Sequence, residues 1–179
     1  MKGLNGVTLL LISVFALSGC QSLLPKAQGL ATTAWQAREY QRQDQVEVQW
    51  KTQSFSFLLY QEQIGEQLQM LALSLTGQPL FKLYFDGKQV KVEQRIEQMR
   101  LLPFDFLVRD ILFATDPQFA QLPHEQVQVL MTETGQDVYI QQKPVLKISQ
   151  ETDHIRLDNV QVPYHMTISA LENTLEAAE

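Results

Sequence analysis

The chain has 179 residues, with 20 acidic side chains against 14 basic ones and a formal charge of −6. An acidic surface of this kind argues against nucleic acid as a partner and against simple electrostatic docking on anionic lipid. The length suits one domain with a sizeable core, and a lone cysteine excludes any disulfide within the chain.

The N-terminus begins with Lys2, followed by an apolar run from Val7 to Leu17 broken only by Thr8 and Ser13, then Ser18, Gly19 and Cys20. That is the order of a secretory signal, and the run falls short of the ~20 apolar residues a spanning helix needs. Residues 1–19 are therefore read as a signal peptide. Leu17-Ser18-Gly19-Cys20 resembles the bacterial lipobox, and an ordinary signal with a cysteine near its end is the alternative. The resemblance implies cleavage before Cys20 and covalent diacylglycerol and acyl groups on it, with no other cofactor. Several acyl chains anchor more firmly than one. Gln21, rather than Asp, follows the cysteine, which implies sorting to the outer membrane, on its periplasmic face. Residues 20–33 read as a lipidated tether without sustained periodicity.

Residues 34–43 suit a short helix capped by Thr33. From Asp44 the period turns to two: Val46, Val48 and Trp50 alternate, then Phe55, Phe57 and Leu59 on a shifted phase. A bulge near Lys51–Gln53 would join these halves into one long strand. Ile64-Gly65 marks a turn, and Leu68, Met70 and Ala72 lead a strand whose other face carries Leu71, Leu73 and Leu75. Residues 80–85 form another, and Asp86-Gly87 is a two-residue hairpin signal before Val90 and Val92.

The middle changes period. After Pro103, the residues Phe104, Leu107, Val108, Ile111 and Leu112 form one helical stripe. Few polar residues interrupt this helix, which predicts that it is largely enclosed. Asp116-Pro117 supplies an N-cap and first position for a second short helix. Strand signals resume at Val127, Val129 and Met131, then Val138 and Ile140, Val145 to Ile148, Ile155 with Leu157, and a run from Val160 to Ile168. The short spacings predict antiparallel hairpins. Residues 171–179 form an acidic tail that frays. The plan is mainly β with a helical insert, as a single domain over 34–170.

Nothing in the chain reads as catalytic or metal-binding. His124, His154 and His165 have no HxxxH or HxH partner and read as surface residues. Nucleophile elbows, P-loops and dinucleotide fingerprints are missing. Asp105 with Arg109, and Glu62 with Glu66, read as solvated charges. The surplus is apolar. Large side chains on both faces of 68–75 and 80–85 fit either a central strand covered on both sides or a curved sheet around an apolar cavity. The candidate cavity lining is Phe57, Leu59, Met70, Leu73, Phe81, Leu83, Leu107 and Ile111, and a one-residue register slip would exchange the set.

This order of elements resembles the lipoprotein-carrier fold of the LolA/LolB type, an unclosed antiparallel β-barrel with a central helical plug. The segment "LALSLTGQPLFKLYFDGKQVKVE" is similar to the receptor's strand–loop–strand. The likeness places a membrane or loop contact at Leu75, Thr76 and Gly77, with Thr76 where the receptor has leucine. "LTGQPLFKLYFDG" with "LVRDILFATDP" resembles a group of uncharacterised proteobacterial outer-membrane lipoproteins, often encoded near aryl-polyene and fatty-acid-like biosynthesis genes. The resemblance implies a non-enzymatic protein tethered to the membrane that binds or hands over a lipid, acyl product or lipoprotein. A structural accessory that binds a protein partner through strand edges is the alternative.

Overall fold

The computed structural model describes residues 27–171. The signal peptide, Cys20, the first part of the tether and the tail beyond Leu171 lie outside the described residues. Ten strands form one antiparallel sheet: β1 (Gln41–Trp50), β2 (Gln53–Ile64), β3 (Gln67–Leu73), β4 (Pro79–Phe85), β5 (Val90–Arg95), β6 (Val127–Met131), β7 (Gly135–Ile140), β8 (Lys143–Gln150), β9 (Ile155–Asn159) and β10 (Tyr164–Ala170). Their spatial order is β5-β4-β3-β2-β1-β10-β9-β8-β7-β6. Two meanders of five strands thus meet where β1 pairs with β10, and β5 and β6 are left as the edges. The sheet does not close. Between β5 and β6 the chain makes a 3-10 turn at Glu97–Met99, then α1 (Phe104–Thr115) and α2 (Pro117–Gln121).

Alternation puts one side chain in two on the buried face. Val46, Val48, Phe57, Leu59, Leu68, Met70, Phe81, Leu83, Leu157 and Met166 are all within 3% of full burial. They form one core with α1, in which every residue except Asp105 is buried. The helix meets both halves of the sheet. Phe104 packs edge-on against Phe81 of β4, with ring centroids 5.1 Å apart. At the other end, Gln136 Nε2 of β7 donates to the Phe113 carbonyl at 2.7 Å. The inner face of the sheet therefore lies along the helix from two sides.

Several local expectations are corrected. Residues 35–40 carry no helix and β1 begins at Gln41, because tertiary partners hold the segment. Trp35 packs on Phe85 at 4.9 Å and its Nε1–H donates to the Glu66 carbonyl at 2.9 Å. Arg38 pairs with Asp116, the residue whose carboxylate also accepts from the Gln118 and Phe119 amides to cap α2. The phase shift near Lys51 is a tight hairpin between two strands, not a bulge in one. Trp50 pairs with Gln53, and Lys51 takes a φ of 56° to make the turn. The loop at Asp86-Gly87 has four residues, since Phe85 pairs with Val90. Asp86 Oδ1 accepts from the Lys88 and Gln89 amides, both at 2.9 Å, and this widens the turn. Gly87 has φ +86°, and a Cβ there would sit 2.3 Å from Trp35 Cβ. Val160 and Val162 lie in a turn rather than in β10, because the Asn159 side chain accepts from the Gln161 and Val162 amides. Residues 27–33 are no free tether: Ala27, Leu30 and Thr32 are buried, and Thr32 bridges to His124.

Candidate functional site

The sheet leaves two free edges, and Thr32 of the N-terminal segment donates to the Gly87 carbonyl beside one and bridges to His124 ahead of the other. The two edges differ in kind. β5 carries Lys91, Glu93 and Arg95 on a short strand, the usual protection of an exposed edge. β6 is VQVLM, without a charge, and exposes Leu130 (42%) and Met131 (78%). Beside this unprotected edge opens a cleft of about 490 Å³, lined by Phe113 and Ala114 of α1, Pro117, Ala120 and Gln121 of α2, Val129 and Met131 of β6, and Gly135, Gln136 and Gln150. Its size is in the range of small-molecule sites, and its walls are apolar with a few amide groups at one side. A second cleft of about 610 Å³ shares Ala114, Pro117 and Gln150 with it and runs past Thr115 and Ile168 to His154.

The sequence-derived lining falls elsewhere. Phe57, Leu59, Met70, Phe81, Leu83, Leu107 and Ile111 are brought together, but as packed core, each no more than 3% exposed. Leu73 does not join them; it stands half-buried on the opposite face of β3. Alternation explains the difference: Leu68, Met70 and Ala72 share the inner face, which sends Leu73 outward. Leu75, Thr76 and Gly77 do form a hairpin loop. Leu75 is 61% exposed, Gly77 takes φ +83°, and the loop closes with the Gly77 amide on the Ser74 carbonyl at 2.8 Å. Sequence reasoning missed the cleft-forming residues of α2 and β6 because each is an ordinary amphipathic residue in its own element. The missing charges in VQVLM were the one signal.

A second feature was misread from sequence. Arg109 is not a solvated partner of Asp105; both Arg109 and Asp110 have no exposed surface. Arg109 Nε donates to Asp110 Oδ1 at 2.7 Å, and its Nη1 donates to the Gln28 carbonyl at 3.0 Å. The Asp110 carboxylate also accepts from Asn159 Nδ2 at 2.5 Å and from the Tyr164 hydroxyl. Burial raises the Asp110 carboxyl, against the attraction of Arg109, and raises the Tyr164 phenol well above its usual value. This network ties α1 to β9, β10 and the N-terminal segment. It is enclosed on every side, so it serves as a polar clamp in the core rather than a site that meets a ligand.

A smaller buried carboxylate, Asp44 on β1, accepts from Arg42 Nε and from Gln61 Nε2 at 3.2 Å. Burial raises its carboxyl despite those donors. Folding therefore shifts Asp44 towards its protonated form relative to the unfolded chain. The stability this contributes is present below the unfolded value of ~3.9 and is lost as pH rises through the folded value. Thermal melts of Asp44→Asn against the native chain across the acid range are expected to favour the variant progressively as pH rises. A difference that moves the other way would mean that the Arg42 pair outweighs burial.

The histidines divide. His165 pairs with Asp158 on the outer face, and His154 lies between Asp153 at 2.7 Å and Glu151 at 3.3 Å. His124 is half-buried rather than a surface residue: Nε2 is 2.9 Å from the Phe119 carbonyl and its ring lies 4.6 Å from the Phe119 ring. Among the described residues no group of three acidic, histidine or cysteine side chains could hold a metal ion.

The family model described as "Protein of unknown function (DUF3261)" matches residues 41–172, and the chain belongs to that family. No curated protein matches it.

Proposed function

We propose that this member of an uncharacterised family is an outer-membrane lipoprotein, anchored through Cys20 on the periplasmic side, that binds an acyl-bearing ligand without catalysing a reaction. On this reading the fold is a lipoprotein-carrier-like half-barrel with α1 as its plug. The observation that carries the reading is the apolar cleft of about 490 Å³ between the helices and the uncharged edge β6. An acyl chain gains affinity from buried area, about 25 cal/mol per Å² of apolar surface, and needs few polar contacts. The unclosed sheet supports the reading as well, since an open seam admits a chain that a closed barrel would shut out.

The test is a titration of the chain from Gln21 onward with a fluorescent fatty acid. Saturable binding, displaced by unlabelled lipid, is expected. Ala120→Trp fills the cleft from α2 and is expected to weaken binding by at least about tenfold, a loss of ~1.4 kcal/mol. Native binding that is absent, or that Ala120→Trp leaves unchanged in a folded protein, defeats the proposal.

A second reading is favoured by the same edge: β6 could add a strand from a protein partner, making this chain a structural accessory. Mass spectrometry of the native protein separates the two. A bound lipid favours the carrier, and a stable protein partner without lipid favours the accessory.

A further inference from the structure

We infer that one end of the sheet is a membrane-docking rim, with the opposite, acidic end turned away from the lipid. The inference rests on the membrane-tethered reading above and goes beyond it by assigning an orientation. Antiparallel pairing decides which loops share an end. The loops at 65–66, 86–89, 132–134 and 151–154 lie at one end of the strands. The loops at 51–52, 74–78, 141–142 and 160–163 lie at the other, together with the segment that leaves β5 at Arg95. Met131, Gly135 and Gln150, which line the cleft, lie at the first end.

Charge separates the two ends. The first set of loops holds Glu66, Asp86, Glu133, Glu151 and Asp153 against Lys88. The second end holds Lys51, Arg95, Arg100 and Lys143 against Glu97 and Glu125. The net charge of the chain averages these unlike ends, so composition alone points away from anionic lipid. A basic rim is attracted to such a surface within a Debye length, while an acidic rim is repelled.

Exposed apolar side chains stand at both ends and differ in setting. Leu75, Leu101 and Val160 are 61%, 64% and 52% exposed, one on each of three separate loops there. Lys51 Nζ sits 4.8 Å over the ring of half-buried Trp50, an amphipathic pair of the type found at membrane interfaces. At the acidic end Met131 lines the cleft, and exposed Ile64 lies between Glu62 and Glu66. The path of the chain agrees. Ala27 and Gln28 share a cleft with Ile140 and Gln141 at the basic end. The seven residue steps from Cys20 to Ala27 reach at most ~25 Å, so an anchor on Cys20 keeps Ala27 within that distance of the bilayer.

The experiment uses the full chain with Cys20→Ser, so that an introduced thiol is the only one. An environment-sensitive fluorophore is attached at Leu101→Cys or Val160→Cys, or at Glu133→Cys or Asp153→Cys on the opposite rim. Each protein is mixed with vesicles of phosphatidylglycerol and phosphatidylethanolamine. A blue shift with at least about a twofold gain in emission is expected at 101 and 160 and none at 133 and 153. Lys51→Glu with Arg100→Glu is expected to abolish the gain, and added salt to weaken it. No response at any of the four positions overturns the inference. An equal response at both rims overturns it too, because the apolar N-terminal run would then be inserting while the body takes no preferred orientation. The fatty-acid titration without vesicles reads ligand binding separately, so either proposal can fail alone.

Discussion

Asp110→Ala is expected to cost about 3–5 kcal/mol of stability, read as a lower midpoint in urea unfolding. The carboxylate stands at the centre of the buried network and accepts from Arg109, Asn159 and Tyr164. Removing it leaves a guanidinium with no exposed surface without the carboxylate that pairs with it, and strips two further donors of their acceptor. The size of the loss comes from breaking the pair rather than from the worth of the intact pair. Replacing both charges tests this. Arg109→Met with Asp110→Leu removes the charge imbalance and is expected to recover part of the loss, although Asn159 and Tyr164 still lack an acceptor. A single-variant cost of about 1 kcal/mol or less would mean that water reaches Arg109 and that the network is not closed.

Phe81→Ala is expected to cost about 3–5 kcal/mol, and Leu73→Ala about 1 kcal/mol or less, in the same urea melts. Phe81 is 1% exposed and sits between two rings, Phe57 at 5.4 Å and Phe104 at 5.1 Å. Its loss opens a cavity where the sheet meets α1. Leu73 is one of the eight residues the sequence nominated beside it, but it lies half-buried on the other face of β3. The comparison therefore measures strand phase directly. Equal costs at the two positions would show that β3 buries both faces and that the register described here is wrong.

The contrast between these residues shows how far local signals carry. Alternation found nearly every strand, because side chains change face at each residue and the apolar ones must go inward. It found α1 for the same reason, with a period of 3.6. It mistook the hairpin at Lys51 for a bulge, because both produce a phase shift and neither Gly nor Asn marked the turn. It placed Arg109 in solvent, because an arginine four residues after Asp105 on a helix reads as half of a solvated pair until its distant partners are known. Gln28 and the stretch with Asn159, Gln161, whose side-chain oxygen accepts from Arg109 at 3.3 Å, and Tyr164 lie far from the helix in the chain, and no spacing announces them.

Sequence by itself determined the mainly β character, the helical insert between two strand groups and the lipobox-like run before Cys20. Each of these is written in neighbours a few residues apart. Tertiary structure decided the rest: that β1 pairs with β10 and leaves β5 and β6 as the sheet edges, that a clamp of buried charge fastens α1, and that the open cleft lies beside Val129 and Met131 rather than around Phe57 and Leu107. Those outcomes depend on pairings between distant strands, where complementary surfaces rather than local periodicity choose the neighbour.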